Sequence, residues 1–175
     1  LCHSIERFAR NSKIDHIKVV TGDGANDFYK DAVGHLSLEA RKKMLEPVLG
    51  GETRQQSVLN GLISLGDLEP ALVFVHDAAR PFLTQGVLER LFIALDDNHG
   101  ALAALPIADS LKRGGGFVVE DVDRNELWSA HTPQAFRYKS ILDAHQKALS
   151  SGRTDFTDDA GIATSFGYKV KIVRS

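Results

Sequence analysis

The chain has 175 residues, 43% of them apolar and 25% charged, with a formal net charge of −2. That is the balance of one ordinary globular domain; with scattered basic residues it argues against bulk electrostatic binding of nucleic acid, and no apolar run approaches a membrane span. The single cysteine, Cys2, has no partner for an internal disulfide and no metal-site spacing, so a reducing, cytoplasmic setting is expected.

Leu1 to Arg10 reads as the tail of an amphipathic helix, with Ile5, Phe8 and Ala9 on one side. Ile17–Thr21 follows as a short β-branched strand, Asn26–Val33 as a helix, and Met44–Val48 as a weak strand before a glycine pair. Thr53–Leu65 reads as a helix, apolar at Val58, Leu59, Leu62, Ile63 and Leu65, and Thr53 with Gln56 gives a capping-box pattern. Ala71–Val75 is a continuous apolar strand, the pattern of burial on both faces. Val87–Leu95 is helical, Ala101–Leu105 is again an apolar strand, Tyr138–Leu149 and Thr157–Ser165 are helices, and Tyr168–Val173 alternates as a strand. This alternation predicts an α/β domain with a mainly parallel sheet and helices on both faces. Between Pro106 and Pro133 the pattern is interrupted, and a Gly114-Gly115-Gly116 turn separates short β-like runs. An arm leaving the main body is expected there, over residues 107–132, of the kind exchanged between subunits of a homodimer. Residues 1–175 read as one domain. It opens inside a helix and closes just after a strand, so both ends are expected to be cuts.

Four segments carry candidate chemistry. In Gly50-Gly51-Glu52-Thr53-Arg54-Gln55-Gln56-Ser57, a glycine pair leads into a capped helix whose dipole favours an anion, and Arg54 and Ser57 share a face near that end. A tight turn before a solvated helix explains the same spacing, and both readings stay open. His76-Asp77-Ala78-Ala79-Arg80-Pro81 directly follows the apolar strand, and ligands of open α/β sheets bind beyond the carboxyl ends of strands. Asp77 there suits Mg²⁺ beside phosphates, and Arg80 suits a phosphate. Asp123-Arg124, leading to Thr132-Pro133-Gln134, reads, taken alone, as a surface ion pair. Thr157-Asp158-Asp159-Ala160-Gly161, taken alone, reads as a helix start with Thr157 as its cap. Gly22-Asp23-Gly24 lacks the third glycine of a dinucleotide fingerprint, since Asp27 stands in its place. His35, His99 and His145 read as surface residues.

In their order, GGETRQQSVLNGL, LVFVHDAARPFL, ALPIADSLKR, VDRNELWSAHTPQAF and TDDAGIATSFGYKV closely resemble the 2-C-methyl-D-erythritol 4-phosphate cytidylyltransferases from Leu1 to the last residue. The resemblance implies a Rossmann-like nucleotidyltransferase fold with a protruding β-arm that interlocks a homodimer. It implies transfer of CMP from CTP to the sugar-alcohol phosphate, in the non-mevalonate route to isoprenoids. Gly50, Gly51, Arg54 and Ser57 would line the cytidine site. Asp77 would hold Mg²⁺ on the CTP phosphates, with Arg80 beside it. Thr132 and Thr157 would contact the acceptor. Ser110, where the family usually has Thr, and Arg124 would reach the acceptor phosphate of the neighbouring subunit. The family also has a glycine-rich loop ending in Pro-Lys and a late lysine-bearing segment, both outside the matched strings, and in some bacteria a following cyclodiphosphate synthase domain. A ribitol 5-phosphate cytidylyltransferase and a non-catalytic nucleotide-binding or dimerisation module are the alternatives.

Overall fold

A computed structural model describes residues 1–175. The elements run α1 (Cys2–Ala9), β1 (Val20–Thr21), α2 (Asn26–Gly34), α3 (Leu38–Lys43), β2 (Val48–Leu49), α4 (Arg54–Ile63), a 3₁₀ turn at Gly66–Leu68, β3 (Leu72–Val75), α5 (Gln85–Ala94), β4 (Gly100–Pro106), β5 (Leu111–Gly114), β6 (Val118–Val122), β7 (Trp128–Arg137), α6 (Tyr138–Ser150), α7 (Asp159–Ser165) and β8 (Val170–Arg174). No helix is long and apolar enough to cross a membrane.

The main sheet has the order β3-β7-β4-β8. β4 and β8 are parallel, but β7 runs antiparallel to both β3 and β4. The sheet is therefore mixed, which corrects the expected mainly parallel one. β7 is the strand the sequence reading missed, and Pro133 in its middle is the cause, because proline donates no ladder hydrogen bond and is rare in central strands. The chain accommodates it with an irregularity. Leu102 pairs with Gln134 and Ala104 with Ala130, so His131, Thr132 and Pro133 stand opposite Ala103 alone. Such a bulge re-aims side chains at a strand end.

Helices cover both faces, as the alternation predicts. On one face Ala101, Ala103 and Ala135 pack with Leu88 and Leu91 of α5, with Leu95 just after it and with Phe8 of α1. On the other, Phe136, Leu102 and Val73 pack with Leu62 of α4, Ile141 of α6 and Ala163 of α7. Neighbouring residues on β4 and on β7 thus serve opposite cores, the period-two signature of a doubly covered strand. Burying a large aliphatic side chain such as Leu91 stabilises by roughly 1.5–3 kcal/mol. β3 departs from its expected burial: all four residues are only half-buried, because it is an edge strand. Across from it lies a separate parallel pair, β1 with β2, and between the two sheets runs a groove of about 1060 Å³.

β5 and β6 form an antiparallel hairpin outside the main sheet, joined through Gly114-Gly115-Gly116. It is shorter than the expected arm of residues 107–132, because Trp128, Ser129 and Ala130 pair with Pro106, Leu105 and Ala104 of the main sheet.

Candidate functional site

The turn after β3 meets the bulge of β7 and the start of α7 around a polar pocket of about 230 Å³. Arg54, Asp77, Arg80, Thr132, Thr157 and Asp158 line it, with Gln134 at its base. This is the edge where the carboxyl end of β3 opens, as expected for a ligand site of an α/β sheet.

Hydrogen bonds fix the turn. The Asp77 N–H donates to Thr132 Oγ1 at 3.1 Å, and Thr132 Oγ1 lies 3.1 Å from His76 Nδ1. His76 Nε2 lies 3.0 Å from the Arg80 carbonyl oxygen. A carbonyl only accepts, so Nε2 carries the proton, Nδ1 accepts, and the Thr132 hydroxyl donates to it. Burial lowers the His76 pKa from its ordinary value, and the Arg80 charge adds to this against the pull of Asp77 and the hydrogen bonds. The neutral ring suits this network. Thr132, expected at the acceptor, thus spends its proton and one lone pair on holding Asp77 in place.

Asp77 is flanked by an arginine on each oxygen of its half-exposed carboxylate. Its Oδ2 is 3.3 Å from Arg80 Nε and its Oδ1 is 3.8 Å from Arg54 Nε. Asp158 is otherwise committed. Its Oδ1 accepts the Gly161 N–H at 2.8 Å and its Oδ2 accepts Gln134 Nε2 at 2.9 Å. Asp158, not Thr157, is therefore the cap of α7; its carboxylate reaches the third N–H of the helix, and Thr157 stays exposed at the pocket wall. The Gln134 Oε1 accepts the Ala160 N–H at 2.8 Å, which ties β7 to α7 from both ends of one amide.

Behind the pocket lies a group that the sequence reading did not single out. Asp159 is fully buried; its Oδ2 accepts Arg54 Nη2 at 2.7 Å and its Oδ1 faces His145 Nε2 at 3.1 Å. His145 is buried too, contrary to its expected surface position. Burial works to raise the Asp159 pKa, but the hydrogen bonds from His145 and Arg54 and the Arg54 charge outweigh it and lower the pKa. Burial likewise works against the Arg54 charge, yet the Asp159 bond and the charges of Asp159, Asp77 and Asp158 hold its pKa up. Only the Asp repeat in the sequence hinted at this. Arg54 and Asp159 are 105 residues apart, a contact no local pattern reveals.

The glycine pair sits at the mouth of the larger groove with Arg54, Ser57 and Asp77. Its backbone is self-satisfied. The Gly50 N–H donates to the Thr21 carbonyl, the Gly51 N–H to Ser57 Oγ and the Glu52 N–H to Gln56 Oε1. The expected cradle of free N–H groups is therefore closed in this conformation, and Ser57 braces the turn. A side chain at Gly50 would meet Ser57 Oγ at 2.7 Å, and one at Gly51 would run into the Gln56 side chain, so neither fits without displacing these braces. Gln56 does donate its N–H to Thr53 Oγ1 at 3.1 Å, the expected half of the capping box.

Ser110 and Arg124 do not join this pocket within one chain. Both are exposed near the hairpin, and Arg124 bonds the Ala108 carbonyl. No group of three or more His, Cys, Asp or Glu comes together to cage a metal. Asp77, 40% exposed and held by its arginines at no less than 3.3 Å, fits the other mode, in which Mg²⁺ takes one protein carboxylate and completes its shell with substrate phosphates and water.

An acid and two arginines at the carboxyl edge of β3, in an α/β domain with a mixed sheet, form a charged pocket whose chemistry can receive a phosphorylated ligand. The comparisons with known proteins narrow this: residues 1–175 match the family model of 2-C-methyl-D-erythritol 4-phosphate cytidylyltransferase, and the chain belongs to that family. It is 44% identical over 174 residues to the bifunctional enzyme IspD/IspF of Paramagnetospirillum magneticum, covering 99% of this chain and 43% of the relative. The chain thus spans less than half the length of that relative. A similar match, 41% identical over 175 residues and 42% of the relative, is the bifunctional IspD/IspF of Mesorhizobium japonicum. Among solved structures, the 4-diphosphocytidyl-2C-methyl-D-erythritol synthase of Anaerococcus prevotii superposes with a TM-score of 0.84 at 28% identity, over 99% of this chain and 79% of that one.

Proposed function

We propose that this chain carries the site that transfers CMP from CTP to 2-C-methyl-D-erythritol 4-phosphate, releasing pyrophosphate and giving 4-diphosphocytidyl-2-C-methyl-D-erythritol, a step of non-mevalonate isoprenoid synthesis. The observation that carries the reading is the pocket itself: Asp77, Arg54 and Arg80 converge at the edge of β3 in a chain that matches the cytidylyltransferase family along its whole length.

A phosphate oxygen of the acceptor attacks the α-phosphorus of CTP in line. The new P–O bond forms as the bond to the β-phosphate oxygen breaks, and pyrophosphate departs with that electron pair. The nucleophile is already anionic near neutral pH, so no strong base is required. Alignment and relief of anion repulsion supply most of the rate. Arg54 and Arg80 provide fixed positive charge, Thr157 stands at the wall for the acceptor, and Thr132 acts there by holding the Asp77 turn. With three carboxylates and two guanidiniums in and behind the pocket, the protein alone leaves a net charge of about −1 there, so further cations belong to the working site. Mg²⁺, held by Asp77 with the phosphates, would neutralise phosphate charge.

Ser110 and Arg124 take their role across a homodimer in this reading. The hairpin exposes Phe117, Val118 and Val119 at 90%, 69% and 75%, an apolar tip suited to a second copy. The lone Cys2 suits a reducing, cytoplasmic setting. The test is pyrophosphate release by the protein with its flanking segments, given CTP, Mg²⁺ and one acceptor at a time. Release with methylerythritol phosphate and not with ribitol 5-phosphate is expected. Release only with ribitol 5-phosphate overturns the acceptor, and CTP binding without release under either acceptor overturns the catalytic reading.

A further inference from the structure

We infer that Asp159, locked by His145, is a positioning residue for the nucleotide, fixing the Arg54 guanidinium at the mouth of the Asp77 pocket. This rests on the reading of that pocket as the CTP site.

The geometry leaves the pair little else to do. Asp159 has no exposed surface, and its two oxygens have one partner each, Arg54 on one side and His145 on the other. A carboxylate only accepts, so His145 Nε2 carries the proton. His145 Nδ1 is buried without any partner. The Asp159 contact is thus the single hydrogen bond of a buried imidazole ring. Buried ion pairs contribute little net stability, because desolvation offsets their attraction. What they do fix is orientation, and here the oriented group is Arg54.

Arg54 begins α4, while Asp159 begins α7. The bond between them joins the two helix starts that flank the pocket. One amino group of Arg54 is spent on Asp159. The same side chain lines the pocket with Asp77 and Arg80. Without the buried charge, the nearest anion to Arg54 is Asp77, whose Oδ1 is 3.8 Å from its Nε. At that distance Asp77 does not hold the guanidinium, which is left free to rotate and no longer presents one orientation to the pocket. Asp159 removes that freedom.

The test uses the protein with its flanking segments and two readouts. The first is CTP affinity by calorimetry. Asp159→Asn keeps the volume but removes the negative charge that holds Arg54, and His145→Leu removes the ring's donor. Each is expected to weaken CTP roughly ten- to hundredfold, the range for a hydrogen bond to a charged group, while KM for the acceptor stays put. His145→Gln, whose amide N–H takes the place of Nε2–H, recovers most of the affinity. The second readout is rotation of the Arg54 amino groups by NMR without nucleotide, slow in the parent protein and fast in Asp159→Asn. Variants that lose thermal stability but bind CTP as the parent does overturn the inference, as does equal Arg54 rotation in both. A parent protein that binds no CTP overturns the function reading instead, and the rotation measurement still decides the clamp.

Discussion

Replacing Gln134 by leucine tests whether β7 is tied to α7 as described. Gln134 is 2% exposed, with its amide N–H on Asp158 Oδ2 at 2.9 Å and its Oε1 on the Ala160 N–H at 2.8 Å. Leucine preserves the volume and removes both bonds. One is neutral and one reaches a charged group, so the loss is about 3 kcal/mol. For a domain with a urea m-value of about 2 kcal/mol/M, the unfolding midpoint falls by about 1.5 M at unchanged slope. The assay is urea unfolding followed by far-UV circular dichroism. A midpoint within about 0.3 M of the parent would refute the reasoning, since it would mean that the Ala160 N–H and Asp158 carboxylate find other partners at no cost.

Gly100→Ala should destabilise by about 1–3 kcal/mol, because the new Cβ would stand 2.6 Å from Phe136 Cδ1 and 3.2 Å from Val170 Cγ2 in the packed sheet; the same urea titration reads it. The lowered His76 pKa means that the unfolded chain binds the proton more readily. Its contribution to stability is therefore full above the ordinary histidine value of about 6.5 and falls away as pH drops through the lower folded value. Thermal midpoints of the parent should decline over that window, and His76→Asn should flatten the slope. In the proposed homodimer, Asp77→Asn and Arg124→Ala should each be inactive alone, and mixing and reassociating them should restore about a quarter of the parent's activity, since half the dimers then hold one intact site of two. Failure to restore any activity would place Arg124 in its own subunit's site.

Much of this was legible because local patterns agree with the fold. The Thr53 cap, the apolar face of α4 and the apolar run of β4 each follow from neighbours a few residues away. Asp77 was found because a carboxylate after an apolar strand marks the ligand edge of an α/β sheet. What stayed hidden depends on distant partners. Trp128–Arg137 did not read as a strand because Pro133 interrupts it, and only the bulge opposite Ala103 accommodates that proline. Missing it made the sheet look parallel. His145 reads as a surface residue and Asp159 as an acid in a first helical turn, because the sequence gives no sign that each is the other's partner and that Arg54, on another helix, completes the set. The Gly50-Gly51 turn suggested an open anion cradle, but whether an N–H is free depends on Ser57, Gln56 and Thr21.

The most direct test of the central claim is turnover of the protein with its flanking segments and of its Asp77→Asn variant, at saturating CTP, methylerythritol phosphate and Mg²⁺, with circular dichroism confirming equal folding. The account predicts a loss of about a hundredfold or more, the scale of removing one preorganised charge from such a site. An Asp77→Asn enzyme that keeps its fold and turns over like the parent would contradict it.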